Sequence, residues 1–71
     1  MNAEPAVICA NGKEVTITLP CSIGEFVKRC GWRATQVVVE YNGRVLERSS
    51  LDRIQLRAGD CLEVITPVAG G

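Results

Sequence analysis

Val15, Ile17 and Leu19 alternate with Glu14, Thr16 and Thr18, a period of two that turns one face of a strand toward a core and the other toward water. Val7-Ile8-Cys9-Ala10 runs just ahead of it, and Asn11-Gly12 stands between the two runs. Asn-Gly is the strongest short hairpin signal because both residues tolerate positive φ. The chain is therefore predicted to open with an antiparallel hairpin. Beyond Pro20 the period changes: Ile23, Phe26, Val27 and Cys30 fall at i, i+3, i+4 and i+7, the stripe of an amphipathic helix. Ser22 and Glu25 have capping-box spacing, in which each side chain satisfies a free backbone donor at the helix start. Lys28 and Arg29 lie near the negative end of this short helix, and Gly31 is placed to stop it.

Gln36-Val37-Val38-Val39-Glu40-Tyr41 is β-branched and almost continuously apolar, as expected of a central strand with both faces at least partly covered. A second Asn-Gly, Asn42-Gly43, returns the chain into Arg44-Val45-Leu46. Glu47 to Leu56 is irregular, with Ser49, Ser50 and Asp52 as local caps and Leu51, Ile54 and Leu56 as anchors. Ala58-Gly59-Asp60 then turns into a last strand, Cys61 to Thr66. Such an order buries its stripes most simply as a two-layer α+β domain spanning residues 1–71, a mixed sheet of four to five strands packed on one helix. Placing the last strand beside the first would pair the most apolar strands centrally, although spacing alone does not determine strand order. If Leu62 and Val64 face the helix, then Cys61, Glu63 and Ile65 face outward, and Val38 and Glu40 behave alike.

Composition narrows the chemistry. With 71 residues, 46% of them apolar and 23% charged, the chain suits one modestly stable domain, whose core alone supplies roughly 3–5 kcal/mol. Eight basic residues balance eight acidic ones and only Phe26, Trp32 and Tyr41 are aromatic, a poor endowment for neutralising phosphates or stacking bases. No nucleic-acid partner is expected. Histidine is absent, which excludes Ser-His and Cys-His nucleophile pairs and histidine zinc sites. No apolar run reaches the roughly 20 residues of a membrane helix, and Met1 to Pro5 lacks the regions of a signal peptide, so no membrane partner and a cytoplasmic location are expected.

Cys9, Cys21, Cys30 and Cys61 should then stay reduced. None has CxxC spacing, so no metal site is expected, and most are read as small buried hydrophobes. Trp32, just past the helix, is read as capping the core, and Arg44, Arg48, Arg53 and Arg57 as solvated surface.

Pro67-Val68-Ala69-Gly70-Gly71 closes the sequence. Pro67 cannot donate to a ladder, and small residues at a terminus commonly fray. Two residues without Cβ also let a backbone thread a narrow channel and enter a foreign active site. The chemistry on offer is that of the Gly71 carboxylate, a poor acyl donor until an adenylyl group from ATP turns it into a mixed anhydride. With neither GxxxxGK[ST] nor GxGxxG in the chain, activation falls to a partner.

Val37-Val38-Val39-Glu40-Tyr41-Asn42-Gly43, the basic Arg48, Gly59-Asp60, Leu62-Glu63-Val64-Ile65 and the terminal Val68-Ala69-Gly70-Gly71 together resemble the ThiS family of ubiquitin-like β-grasp sulfur carriers of thiamine thiazole biosynthesis, from Val7 to Gly71. The family commonly has Pro before the basic residue, where this chain has Glu47. The resemblance implies that an E1-like adenylyltransferase activates Gly71 with MgATP. Sulfur from a persulfide donor then yields a thiocarboxylate, which the carrier delivers to thiazole synthase. Gly70 would give clearance, and Pro67, Val68 and Ala69 the flexible arm. The protein would be a cosubstrate that binds no cofactor itself and is not an enzyme. An outward patch of Val38, Ile65 and Leu46 is the candidate dock for the activating enzyme, while Met1 to Pro5 would be a disordered lead. Other readings are a sulfur carrier for molybdopterin synthesis or transfer-RNA thiolation, a ubiquitin-like modifier joined through Gly71, and an interaction module with an inert tail.

Overall fold

Both Asn-Gly pairs make hairpin turns in the computed structural model, which describes residues 3–66. Asn11 and Gly12 hold φ of 51° and 79°, Asn42 and Gly43 of 48° and 87°, positive at both positions as a two-residue turn matched to strand twist requires. The first turn joins β1 (Glu4–Ala10) to β2 (Lys13–Leu19), and the second joins β3 (Val38–Tyr41) to β4 (Arg44–Leu46). Between the hairpins lies α1 (Ile23–Arg29), and the last strand is β5 (Cys61–Ile65).

The five strands lie in the order β2-β1-β5-β3-β4. β5 runs parallel to β1, with Cys9 opposite Cys61, and antiparallel to β3, with Val39 opposite Val64. The last strand is thus the middle one, flanked by the first, as its apolar content suggested. Ile8, Ile17, Val39, Leu62 and Val64 turn from the sheet onto Ile23, Phe26 and Val27 of α1, all buried. One helix in the grasp of a mixed sheet is the ubiquitin-like β-grasp fold.

α1 starts as its sequence predicts. Ser22 Oγ accepts from the Glu25 N–H at 3.0 Å, and Glu25 Oε1 accepts from the Ser22 N–H at 3.1 Å. The irregular segment after β4 crosses this same end. The N–H groups of Ile23 and Gly24 donate to the carbonyls of Ile54 and Leu51 at 3.0 and 2.9 Å, so donors that a helix start leaves free are satisfied. At Gly24 a Cβ would meet the Asp52 carboxylate, the movable end of an exposed side chain.

Three boundaries differ from the sequence reading. β1 begins at Glu4, so Glu4 and Pro5 pair with Leu19 and Thr18 instead of preceding the strand. Pro5 is tolerated because odd positions of β1 direct their N–H toward β5, as Cys9 does to Asp60 at 2.8 Å, and β5 does not extend that far. The helix stops at Arg29, leaving Cys30 as its exposed cap. β3 begins only at Val38, after a 3-10 turn over Ala34–Gln36, and has one covered face: Val39 is 1% exposed, Val38 36%. A two-layer domain has a single helix to cover the sheet.

Glu47 has φ −72°, within the range a proline ring imposes. Among the described residues, no helix is long and apolar enough to cross a membrane.

Candidate functional site

β5 ends in the middle of the sheet at Ile65, directly opposite Val38. Both side chains are outward, Ile65 at 43% and Val38 at 36% exposure, so an apolar pair marks the end of β5. Gly71 and the arm Pro67, Val68, Ala69 and Gly70 lie outside the described residues.

Leu46 does not join this patch. It pairs with Val39, and so lies on the inner face, half-buried against the core. The outward residue of β4 is Val45, 67% exposed and opposite Glu40. A one-residue change of register exchanges the faces of a strand. Counting back from the two-residue turn would have found this, since Tyr41 faces Arg44 across Asn42-Gly43 and the parity of Val45 and Leu46 follows. Glu40 and Glu63, also opposite one another, complete an outer surface of aliphatic and acidic groups.

The entry to β5 is held by polar contacts that the sequence reading took only as turns. The Asp60 carboxylate, 9% exposed, accepts from Tyr41 OH at 2.9 Å, the Arg57 N–H at 2.8 Å and Asn42 Nδ2 at 3.4 Å. Asn42 Oδ1 accepts from the Cys61 N–H at 2.8 Å, and Asn11 Oδ1 from the Val64 N–H at 2.7 Å. Each hairpin asparagine therefore supplies a positive φ and also grips the central strand. That second role depends on strand order, which local spacing does not carry.

Burial, then the hydrogen bond to Asp60 and that carboxylate's charge, push the Tyr41 phenol above its ordinary value, against the smaller pull of Arg57. A raised phenol favours the neutral form in the folded state. Its contribution is complete below the unfolded value of about 10 and is lost as pH climbs through the folded one. Chemical denaturation of the wild type against Tyr41→Phe should show a stability advantage that is constant to about pH 10 and shrinks above it. An advantage that grows with pH would contradict this.

Of the four cysteines only Cys21 is buried; Cys9 is intermediate, and Cys30 and Cys61 are exposed. The expectation of mostly buried thiols fails because Cys9 and Cys61 fall on the outer face of the sheet and Cys30 falls past the helix. Burial pushes the Cys21 thiol up. All four are free thiols, and among the described residues no group of three or more His, Cys, Asp or Glu side chains converges.

Trp32 packs half-buried against the core, as expected, and also lines a groove of about 420 Å³. Glu25, Lys28, Arg33 and Asp52 share that lining. Arg44, Arg53 and Arg57 are solvated, and exposed Arg48 donates to the Thr35 carbonyl at 3.3 Å.

The model of the ThiS family matches residues 3–71. A crystal structure of the thiamine biosynthesis protein ThiS from Geobacter metallireducens is 31% identical, with a TM-score of 0.78 over 92% of this chain and 99% of that one. An NMR solution structure of a thiamine biosynthesis protein from the same organism has the same identity and TM-score over 92% of this chain and 87% of that one. No curated protein sequence matches.

Proposed function

The chain belongs to the ThiS family, and from that premise we propose that it is the sulfur carrier of thiamine thiazole biosynthesis, bearing sulfur on Gly71. An E1-like adenylyltransferase would transfer the adenylyl group of MgATP to the Gly71 carboxylate, releasing pyrophosphate. The terminal sulfur of a protein persulfide attacks the acyl carbon, and AMP leaves. Cleavage of the remaining S–S bond by a thiol frees the thiocarboxylate, which gives its sulfur to thiazole synthase. MgATP and persulfide act through partners, so the protein itself is a cosubstrate with no bound cofactor, working in the cytoplasm.

One observation carries the reading: the family match runs from residue 3 through Gly71 and takes in Val68-Ala69-Gly70-Gly71. The fold supports it physically. That segment follows β5 in the sequence, so a partner docked on Val38 and Ile65 would sit at the end of the strand that precedes it. Five residues past Thr66 reach at most about 18 Å, enough to cross into a partner's cleft.

The direct test is intact-protein mass spectrometry after incubation with the adenylyltransferase, MgATP and a persulfide donor. A gain matching exchange of one oxygen for sulfur at the terminus supports the reading. Conjugation to a target lysine would indicate a modifier, and an unchanged mass an inert tail. Loss of the protein should produce thiamine auxotrophy; a molybdenum-cofactor or transfer-RNA thiolation defect would move it to another sulfur-carrier pathway.

Docking has its own test. Val38→Asp or Ile65→Asp places a carboxylate on the patch beside Glu40 and Glu63, and is expected to raise the carrier's KM for adenylation about tenfold or more with kcat little changed, the effect of losing one interface anchor. Val7→Asp is the control, since Val7 is 46% exposed but is level with Gly59, ahead of β5, and not with Ile65 at its end. Equal effects from all three substitutions would remove the patch from the dock.

A further inference from the structure

Cys9 and Cys61 are directly paired across the parallel β1–β5 ladder. Paired positions in a sheet turn their side chains to one face, and neighbouring strands lie about 4.8 Å apart. The two thiols are therefore side by side on the outer surface, Cys61 exposed and Cys9 partly so. The neighbouring Cys9 thiol, then some desolvation and the charges of Cys9 and Asp60, hold the Cys61 thiol above its ordinary value.

From this placement we infer that Cys9 and Cys61 form a two-thiolate binding site for monovalent copper. Coordination number selects the ion. Zinc takes four ligands, while the chain has no histidine and its described residues gather no third ligand at this place. Hard cations require oxygen ligands, whereas soft thiolates select copper(I), an ion that two sulfurs satisfy. The spacing agrees. Strands about 4.8 Å apart also fall within the Cα range of about 4.4–6.8 Å that a disulfide takes, so it is in the reduced chain that the two facing thiols share one ion without drawing the backbones together.

Binding replaces two S–H bonds with two S–Cu bonds and releases two protons, leaving a cuprous dithiolate of net charge −1 with no change of oxidation state. Glu14, opposite Cys9 on β2, and Asp60, next to Cys61, add negative charge around the pair. That charge favours a cation over a second anion. The site lies at the start of β5, away from Ile65, so this inference does not depend on the sulfur-carrier reading.

β1 and β5 share only two paired positions, Cys9 with Cys61 and Ala10 with Leu62. An ion bridging the first pair clips the two strands, and a ligand bound only by the folded state raises its stability. Copper(I) should therefore raise the thermal midpoint of the full chain as well as bind it.

Anaerobic titration of the reduced full-length chain in competition with bicinchoninate, followed by native mass spectrometry, tests the site. The expected result is one copper(I) per monomer in the wild type and in Cys30→Ser. Cys61→Ser and Cys9→Ser should each weaken binding by more than about tenfold, beyond the usual cost of an outer-shell change, and abolish the thermal shift. Because Cys61 is exposed, Cys61→Ser and Cys61→Ala both keep the fold, checked by circular dichroism. Retention of copper by either Cys61 variant, loss in Cys30→Ser, or equally tight zinc binding would overturn the assignment.

Discussion

Removal of Gly71 is expected to lower thiocarboxylate formation by at least about 100-fold, the penalty of misplacing a reacting group by an ångström or more, while the thermal midpoint stays where it is. The shortened chain still ends in a glycine carboxylate, so the loss would come from reach: one residue is about 3.3–3.6 Å of extended chain, and the acyl carbon would stop short of the nucleotide. Stability should not follow, because glycine has no side chain to bury and the loss of one at the terminus is expected to cost within about 0.5 kcal/mol, the range of an ordinary surface change, or less than about 4 °C in a domain of this size. Gly71→Ala keeps the reach and adds a Cβ. It should retain more activity than the deletion if length dominates, and as little if the partner's channel is too narrow for a methyl group. Mass spectrometry of the loaded carrier and a thermal melt of the same samples check both halves. Loading at the wild-type rate after the deletion would show that the chemistry is not at this terminus.

What could be read from the sequence was what neighbours in the chain decide. The capping box at Ser22 and Glu25, the positive φ at both Asn-Gly turns and the alternation of β2 depend on residues a few positions apart, and the structure has all three. The boundaries that moved were decided by tertiary contacts. Pro5 enters β1 only because nothing needs its missing donor there, and Val38 is uncovered only because the domain has no second helix layer. For the candidate site, pattern alone placed Val38 and Ile65 on one outward face, and the register set them opposite each other. Leu46 was misplaced by a step of parity. The grip of Asn11 on Val64, 53 positions away in the chain, and of Asn42 on Cys61 had no local signal, because it exists only once β5 lies between the hairpins. The pairing of Cys9 with Cys61 was hidden for the same reason.

Asp60→Ala is expected to be the most damaging polar substitution. The carboxylate accepts from Tyr41 on β3, Asn42 in the β3–β4 turn and the Arg57 backbone ahead of β5, so its removal strands donors from three segments at once. Hydrogen bonds to a charged group are worth about 1.5–3 kcal/mol; of the donors left behind Tyr41 is half-buried, while Asn42 and Arg57 are exposed. A net loss of about 3 kcal/mol is a large share of the roughly 4–11 kcal/mol that a 71-residue domain has, and corresponds to a midpoint about 12–24 °C lower. Asp60→Asn keeps one acceptor oxygen and, since Tyr41 OH can rotate to accept, should cost less than half as much. Tyr41→Phe should be costly alone and nearly silent beside Asp60→Ala, because contacting residues that share one hydrogen bond do not add. Denaturant melts of the single and double variants check the cycle. Strict additivity would mean that Asp60 works through Asn42 and the Arg57 turn and not through Tyr41, and a loss under about 0.5 kcal/mol, the range of an ordinary surface change, would mean that water replaces the carboxylate.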